Sequence, residues 1–423
     1  MKTLIRADRL IDGSGAAPLE DAALVIEDGK IAGLFGGEPL AALLSPDTLS
    51  LDCRGCSILP GLIDAHVHLN LPGDGTTLED AVREPEGVLV ATSAFQANRA
   101  LSCGITTVRD VGGMRSTVMQ VRRALELGHG AGARILACGQ PITITGGHTW
   151  YFGGEADGEE ALRRKVREMA KLGADFIKVM ATGGGTLNTL SWLPSFSKQE
   201  LAALADEAHR LDRKITAHCL CAAAIEDVVD AGFDQIEHAF FIANAKGEQH
   251  FVPSTAEKMA RAGIPVTSTL AVGGSILEVL RAKSEPSAAE RALLDRWHRM
   301  HDENLAHFRK MHETGVAFVA GTDAGWRFTA INALPLELAL MEEGGLTAME
   351  AITAATGGAA KALGIADRTG RLAMGLDADV IVVAGNPLKD LGRLRDVTLV
   401  AQRGKVVHGG RPAPSGGEAR GAR

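Results

Sequence analysis

Two histidines separated by one residue, His66 and His68, end an apolar run at residues 57–64. In a strand, residues two apart project to the same side, so both imidazoles are expected to point the same way. Paired imidazoles at a strand end can bind a borderline metal ion such as zinc. Two half-buried structural histidines are the ordinary alternative, and the spacing alone does not decide between them.

Three more ligand-type side chains end other apolar runs. His218 ends the run 214–218, His238 ends the run 235–238, and Asp323 follows the run 317–322 in a turn flanked by glycines. Taken singly, each of these histidines is more often a core or rim residue. Four histidines and one carboxylate at the same end of repeated elements indicate a metal site.

Lys178 lies in the run 175–180, where a charged ammonium would repel a metal. A salt-bridged or snorkelling lysine is the usual interpretation of such a residue. A desolvated lysine, however, has a lowered pKa, and a free amine can react with carbon dioxide to form a carbamate. Beside the histidines, we expect a carbamate on Lys178 that bridges two divalent metal ions.

Two metal ions sharing a bridging hydroxide would supply a nucleophile at neutral pH and polarise a carbonyl group. Asp323 is the candidate proton shuttle, because it could accept the proton of the nucleophile and pass it to the departing amine. His148, in the loop after the run 133–138, is the candidate donor to the oxyanion. Its alternative role is a rim histidine that holds the loop.

The elements that must position these side chains alternate apolar β-type runs with helical stretches. This alternation predicts a parallel sheet with crossover helices, and eight units imply a closed (β/α)8 barrel of the TIM type, with its chemistry at the carboxyl ends of the strands. The predicted strands are residues 57–64, 105–110, 133–138, 175–180, 214–218, 235–238, 265–270 and 317–322, and predicted helices include 158–172, 198–211 and 288–314.

Both ends of the chain differ from the middle in sequence pattern, because they consist of short β-type runs separated by Gly, Asp and Asn-Pro turns. We therefore expect residues 1–56 and 366–410 to pair into a small β-sandwich beside a barrel of residues 57–365. The Gly/Pro/Arg-rich residues 411–423 are expected to form a disordered tail.

The composition excludes several classes of protein. Lys and Arg number 44 against 52 Asp and Glu, and the resulting net charge of −8 argues against nucleic-acid binding. No apolar segment approaches the ~20 residues that span a bilayer, and the charged N-terminus does not resemble a signal peptide, so a cytoplasmic protein without a membrane partner is expected. Cys53 and Cys56 have no second Cys/His pair at zinc-finger spacing, and reduced, buried thiols are expected throughout.

Further polar residues have ordinary interpretations. Arg109 and Asp110, at the end of the second run, are expected to orient a ligand or to form a structural ion pair. Gly183 and Gly184 lack the Lys-Ser/Thr of a phosphate loop, so we expect them to let the backbone approach the substrate. The histidine-rich stretch 297–312 is interpreted as a solvated helix face with one or two packing contacts.

As a set, these motifs resemble the amidohydrolase superfamily over nearly the whole chain. The resemblance is to the branch that holds imidazolonepropionase-like proteins, dipeptidases of the prolidase and Xaa-Arg type, and aryl amide or phenylurea hydrolases. The segments that carry it are residues 61–68, 106–110, 146–148, 177–183, 217–218, 236–238, 321–325 and 370–379.

The resemblance implies a binuclear zinc site, a homo-oligomer and a small-molecule amide substrate. The implied metal ligands are His66, His68, N6-carboxylated Lys178, His218, His238 and Asp323. Trp150 and Tyr151 stand where dipeptidase relatives are often more polar, which favours an apolar or aromatic substrate group and suggests that both residues contact it, with His148, Gly183 and Gly184.

Three functions are consistent with this pattern. The first is hydrolysis of an amide, peptide or carbamate-like C–N bond in an N-acyl amino acid, a dipeptide or an aryl amide. The second is a cyclic amide (imidazolone-type) hydrolase or a deaminase, and a deaminase would use a single metal and a glutamate near the sixth strand. Glu237 should point away by strand alternation, and Lys178 favours the first function. The third is a non-catalytic metal-binding protein.

Overall fold

The structure is a computed structural model that describes residues 2–37 and 48–409. The predicted tail at 411–423 lies outside the described residues. Strands from both ends of the chain share one seven-stranded sheet, which forms a β-sandwich-like part of the fold. Its strands are β1 (Lys2–Leu10), β2 (Leu19–Glu27), β3 (Lys30–Gly36), β4 (Thr48–Pro60), β12 (Val380–Ala384), β13 (Val397–Gln402) and β14 (Lys405–Gly409), in the order β14-β13-β12-β4-β1-β2-β3.

The middle of the chain forms two parallel sheets with helices between their strands. One sheet has the order β5-β6-β7, with β5 (Leu62–Val67), β6 (Ile105–Asp110) and β7 (Arg134–Ala137). The other has the order β11-β10-β9-β8, with β8 (Phe176–Met180), β9 (Lys214–Cys219), β10 (Gln235–His238) and β11 (Val266–Thr267). Consecutive strands lie side by side in register, as βαβ units require.

Single bridges join the edges of these two sheets. Ile142 bridges Val179 of β8, Phe318 bridges Val266 of β11, and Ala324 bridges Val67 of β5. The prediction of a regular eighth strand at residues 317–322 is therefore wrong, because this segment forms one isolated bridge, at Phe318, and Ala324 forms another just after it. The seventh is shorter than predicted. Thr269 at φ +52° and Asp323 at φ +58° adopt left-handed conformations that end the extended backbone at both places.

The predicted first strand, residues 57–64, is divided at Gly61 between two sheets. β4 runs to Pro60 and pairs with β12, whereas β5 begins at Leu62 and pairs with β6. A Cβ at Gly61 would lie 2.1 Å from Oγ1 of Thr106, so only glycine allows this close approach. The seven-stranded sheet consequently extends a few residues past the boundary predicted at residue 57.

The helices surround the parallel sheets, and capping boxes at Ser197, Ser287 and Thr347 begin three of them. The predicted helices 158–172, 198–211 and 288–314 are present as Glu159–Lys171, Lys198–Arg210 and Ala288–Glu313. The helices are α1 (Leu78–Ala81), α2 (Glu86–Ser102), α3 (Thr117–Glu126), α4 (Glu159–Lys171), α5 (Lys198–Arg210), α6 (Ala222–Asp230), α7 (Pro253–Ala262), α8 (Ala271–Ala282), α9 (Ala288–Glu313), α10 (Leu334–Glu343), α11 (Ala348–Ala354) and α12 (Gly357–Leu363).

None of the helices within residues 2–37 and 48–409 is long and apolar enough to cross a bilayer. All six cysteines are free thiols, as predicted. Three of them, Cys53, Cys56 and Cys103, are only partly buried, which corrects the expectation that every thiol is buried.

Candidate metal centre and active-site cavity

One cavity of about 350 Å³ lies at the carboxyl ends of the parallel strands, and all six predicted metal ligands line it. β5 ends at Val67, which places His66 and His68 side by side, and β8, β9 and β10 contribute Lys178, His218 and His238. Asp323 reaches the same cavity from the turn after residues 317–322. The structure thus brings together side chains that lie up to 257 positions apart (323 − 66).

Three of these residues already lie at metal-site spacing. The ligand atoms of His66, His238 and Asp323 fall within 4.8 Å of one another. Oδ1 of Asp323 lies 3.4 Å from Nε2 of His66 and 3.3 Å from Nε2 of His68. The ring centroids of His218 and His238 are 4.5 Å apart. Imidazole and carboxylate donors at this spacing fit a borderline divalent ion such as zinc.

The far nitrogen of each of three histidines is held by a hydrogen-bond acceptor. Nδ1 of His66 lies 2.8 Å from Oε2 of Glu237, and Nδ1 of His68 donates to the carbonyl oxygen of Gly112 at 2.8 Å. Nδ1 of His238 lies 2.8 Å from Oγ1 of Thr269. These contacts leave Nε2 of each ring for the cavity and fix its orientation, as the outer partners of metal-binding histidines do.

His218 is held in the opposite sense, because its Nε2 lies 3.1 Å from the carbonyl oxygen of Gly183. Its Nδ1 is therefore the nitrogen left for the cavity. Burial lowers the pKa of His218 and of His238 well below the usual value, and neighbouring histidines add to the effect. Both rings are neutral, which is the form that binds a metal.

Lys178 is fully buried, at 1% exposure. Burial lowers its pKa, the charge of Arg109 lowers it further, and the carboxylates of Glu237 and Asp323 act in the opposite direction. No carboxylate in the described part of the chain forms an ion pair with its Nζ. The alternative interpretation of Lys178 as a salt-bridged or snorkelling lysine therefore does not describe this side chain.

Glu237 and Arg109 form a buried pair behind the metal ligands. Nη2 of Arg109 donates to Oε1 of Glu237 at 2.6 Å, and Oγ1 of Thr216 donates to the same oxygen at 2.5 Å. Burial raises the pKa of Glu237, but the charges of Arg109 and Lys178 and the hydrogen bond from His66 outweigh it and lower that pKa well below its usual range. Glu237 does not line the cavity, as expected, but strand alternation is not the reason. Its contact with Thr216 places it on the same face as His218, and the left-handed φ of His238, +72°, breaks the alternation between the two neighbours.

Arg109 and Asp110 are both buried but do not pair with each other. Oδ2 of Asp110 instead accepts the backbone N–H of Leu69 at 2.8 Å, which fixes the chain directly after His68. The pairing of Arg109 with Glu237 was missed by the sequence reasoning, because the two residues are far apart in the chain and neither motif points to the other.

His148 lies on the cavity wall and is held by Thr186, whose Oγ1 is 2.8 Å from Nδ1. Burial lowers the pKa of His148 to about 3, so the ring is neutral. Gly184 packs on this ring so closely that a Cβ there would lie 2.6 Å from Nε2. Gly184 therefore lines the cavity next to His148, whereas Gly183 contributes its carbonyl oxygen to His218.

The two aromatic residues expected to contact substrate lie elsewhere. Trp150 is 47% exposed, and neither Trp150, Tyr151 nor Gly183 is part of the cavity wall. The hydroxyl of Tyr151 lies 3.3 Å from Oγ1 of Thr186 and so supports the His148 loop from behind. Their nearness to His148 in sequence was no guide, because the chain turns at Thr149, with φ +57°.

Helix α9 supplies much of the apolar wall in their place. Leu293, Trp297 and Met300 face the cavity, and the neighbouring loops add Phe152, Phe240 and Trp326. The expectation of a solvated face with one or two packing contacts for residues 297–312 is therefore corrected, because Trp297 and Met300 line the cavity and His307 and Phe308 are also buried. The spacing of 293, 297 and 300 marks one helix face, and this signal was obscured by the polar histidines around it.

The sequence profile of the amidohydrolase family matches residues 57–410. The chain belongs to the amidohydrolase family. Ochratoxinase from Aspergillus niger is 31% identical over 460 aligned positions, covering 99% of this chain and 89% of the relative. A crystal structure of a Xaa-Pro dipeptidase with bound methionine in the active site is similar at a TM-score of 0.82 and 28% identity, covering 97% of this chain and 100% of that one.

Imidazolonepropionase from Symbiobacterium thermophilum is 23% identical over 405 aligned positions, covering 90% of this chain and 87% of the relative. The predicted family and the branch within it are thereby confirmed. The chain is an enzyme, a hydrolase that acts on amide C–N bonds. Its fold neighbours are of the TIM-barrel type, in agreement with the mixed α/β architecture.

Proposed function

We propose that this amidohydrolase cleaves an amide- or peptide-type C–N bond with two divalent metal ions, zinc by the chemistry of the donors. The residues that would hold them are His66, His68, His218, His238, Asp323 and Lys178 as a carbamate. We further propose that its scaffold is a closed (β/α)8 barrel, with the bridging segments around Ile142 and residues 317–324 completing the ring.

The observation that carries the proposal is the state of Lys178. A lysine that is fully buried, held toward its neutral form and without an ion pair has the chemistry needed to form a carbamate. The carbamate would add an anionic ligand to a cavity in which the imidazoles of His218 and His238 are neutral. When bound, two metal ions would polarise the scissile carbonyl and lower the pKa of a water molecule towards neutrality.

Asp323 is the proposed proton carrier. Burial raises its pKa, but the charges and hydrogen bonds of His66 and His68 outweigh burial and hold the pKa well below its usual range. The carboxylate is thus ionised, and one of its oxygens could accept a proton from the attacking water. The protonated group would then donate to the departing nitrogen, which must leave as a neutral amine.

His148 is the proposed donor to the developing oxyanion. Its ring is neutral, so it can donate from Nε2 only if Nδ1 accepts a hydrogen bond. Oγ1 of Thr186 can supply that bond, because the backbone N–H of Thr149 already donates to the same oxygen at 3.0 Å. A neutral imidazole fixed in this tautomer would stabilise negative charge on the substrate oxygen.

A deaminase or a cyclic amide (imidazolone-type) hydrolase is the second candidate on this scaffold. A deaminase needs a carboxylic acid in the cavity beside its single metal ion, and Glu237 is the residue nearest that position in sequence. Glu237, however, contacts Arg109 and the outer nitrogen of His66 and does not line the cavity. This placement favours the two-metal amide hydrolysis.

The cavity favours a substrate with at least one large apolar group. N-acyl amino acids, dipeptides, aryl amides and carbamates all fit this description, and the ochratoxinase and Xaa-Pro dipeptidase relatives support an amide or peptide bond. His148 and Gly184 are the proposed substrate contacts among the residues predicted from sequence. Homo-oligomeric assembly and cytoplasmic location stay predictions.

The test is metal stoichiometry with and without the bridging lysine. Elemental analysis of zinc-reconstituted protein should give two ions per chain, and Lys178→Ala should retain at most one and lose amide hydrolysis. Reconstitution of metal-depleted protein should be faster with bicarbonate than in buffer free of carbon dioxide, and the exposed Lys171 changed to Ala is the control. Two bound ions and full turnover in Lys178→Ala would refute the bridge.

A further inference from the structure

Arg327 lies four positions after Asp323, in the loop that joins the metal centre to the cavity mouth. Its backbone adopts a left-handed conformation, φ +52°, which is unfavourable for any residue with a side chain. Hydrogen bonds fix this conformation: the N–H of Gly75 donates to the carbonyl oxygen of Arg327 at 2.7 Å, and the N–H of Thr329 donates to that of Trp326 at 3.0 Å. The position of Arg327 is therefore imposed by the fold.

Arg327 lines the cavity, and no carboxylate within residues 2–37 and 48–409 forms an ion pair with its guanidinium. Its Cζ is 5.6 Å from the ring centroid of Trp326, and that ring packs edge-on against Trp297 at 6.0 Å. Nε of Arg327 is covered by protein yet has no hydrogen-bond acceptor among the described residues. A guanidinium on the cavity wall that forms no hydrogen bond or ion pair with the described residues keeps its outer N–H groups for an anionic ligand.

The charges of the wall indicate which ligand fits. Of the described residues that line the cavity, Asp323 is the only carboxylate, and it belongs to the metal centre. Arg296, an exposed residue of α9, is a second cation among the residues that line the cavity. The same lining includes large apolar side chains, among them Phe240 and Met300.

We propose that Arg327 binds the carboxylate of an N-acyl amino acid whose amide bond lies at the metal centre. This inference rests on the proposed function and narrows it to one substrate class. The planar guanidinium donates two parallel hydrogen bonds to a carboxylate, and stacking on Trp326 holds it in the orientation that this requires. The apolar side chains of the substrate lie against Phe240, Trp297 and Met300.

The same charges disfavour a dipeptide with a free amino group. An ammonium in this cavity would need a carboxylate partner, and Asp323 is already engaged by His66 and His68. A neutral acyl group needs no such partner and gains from the apolar wall. Arg327 thus selects for an anion on the substrate, and the absence of a second acid in the described wall selects against a cation.

Three compounds distinguish the effect of the substrate carboxylate from the effect of a free ammonium group. N-(3-phenylpropanoyl)-L-leucine carries the carboxylate, N-(3-methylbutyl)-3-phenylpropanamide is the same amide without it, and L-phenylalanyl-L-leucine adds the ammonium. Hydrolysis of each is measured with the zinc-loaded protein. Binding of the first two is measured by calorimetry in the Asp323→Asn background, where turnover is too slow to interfere.

We expect the wild-type protein to prefer the N-acyl amino acid over both other compounds. Arg327→Met should raise KM and the dissociation constant for the carboxylate compound about 10- to 100-fold, with little change for the amide that lacks it. Arg327→Lys should recover part of the lost affinity, because lysine keeps the positive charge but cannot donate the two parallel hydrogen bonds of a guanidinium. Arg296→Met, which removes an exposed cation, should change KM only a few-fold.

Equal effects of Arg327→Met on both amides, or no carboxylate preference in the binding measurement, would overturn the assignment. Failure of the zinc-loaded protein to hydrolyse any of the three amides would count against the proposed function instead, and binding would still decide the role of Arg327. Zinc content of Arg327→Met must equal that of wild type, and a loss of zinc would show that Arg327 supports the metal centre instead of binding substrate.

Discussion

Changing Glu237 to glutamine should weaken both the fold and metal binding, although the two side chains have nearly the same shape. Glu237 accepts three hydrogen bonds, from Arg109 at 2.6 Å, from Thr216 at 2.5 Å and from His66 at 2.8 Å. A glutamine has one acceptor oxygen, so its amide N–H would face at least one of these donors. It also leaves the guanidinium of Arg109 buried without a negative charge.

The size of the effect follows from these contacts. Breaking a buried ion pair by neutralising one partner costs about 3 kcal/mol or more, so the free energy of unfolding should fall by at least about 3 kcal/mol. If the amide N–H faces Nδ1 of His66, that ring loses the acceptor that fixes its tautomer. Loss of such an outer partner weakens zinc affinity about 10- to 100-fold.

Urea unfolding of the metal-free protein and zinc titration against a competing chelator measure the two effects separately. For the zinc titration, Glu337→Gln is the matched control, because it makes the same change at a buried glutamate that faces no cation and does not touch a metal ligand. A Glu237→Gln protein with wild-type stability and wild-type zinc affinity would refute the role assigned to the Arg109–Glu237 pair.

Three other changes have expected outcomes. Burial raises the pKa of Glu337 to about 8, above its unfolded value. This residue therefore favours the folded state most at low pH and loses that contribution as the pH rises. In urea unfolding, the free energy of unfolding of wild type should fall by about 3 kcal/mol relative to that of Glu337→Gln between pH 5 and pH 7. Gly184→Ala should displace His148 and lower kcat about 100-fold at unchanged zinc content. Gly87→Ala is the control, because its added methyl group meets nothing within 4 Å, and it should not change kcat. Equal kcat values in the two variants would contradict the placement of His148. Asp323→Asn should fold normally, as judged by circular dichroism, and lose at least about 1,000-fold in kcat, and a loss under tenfold would remove it as the proton carrier.

The metal ligands were predictable because strand alternation and strand ends fix where side chains point. His66, His218 and His238 each end an apolar run, and the carboxyl ends of parallel strands meet at one face. Asp323 followed from the same logic, although its segment proved to be a bridged turn. That turn was not predictable, because a left-handed φ at a non-glycine residue leaves no mark in composition.

The sequence did not predict which distant residues pair behind the metal centre or which residues form the cavity wall. The pairing of Arg109 with Glu237 depends on two strands from different sheets meeting behind the metal centre, and no local pattern encodes it. The apolar residues of α9 show a helical period, but nothing local states whether that face meets the core or a cavity. For Trp150 the error is the opposite one. We expected it in the cavity wall because it is close to His148 in sequence, but it does not line the cavity.

The most direct test of the central claim is a crystal structure of zinc-reconstituted protein with anomalous diffraction data collected at the zinc absorption edge. We expect two anomalous peaks among the four histidines and Asp323, with electron density extending from Nζ of Lys178 as a carbamate between them. A bare amine at Lys178 with a single peak, or no peak at all in active protein, would contradict that claim.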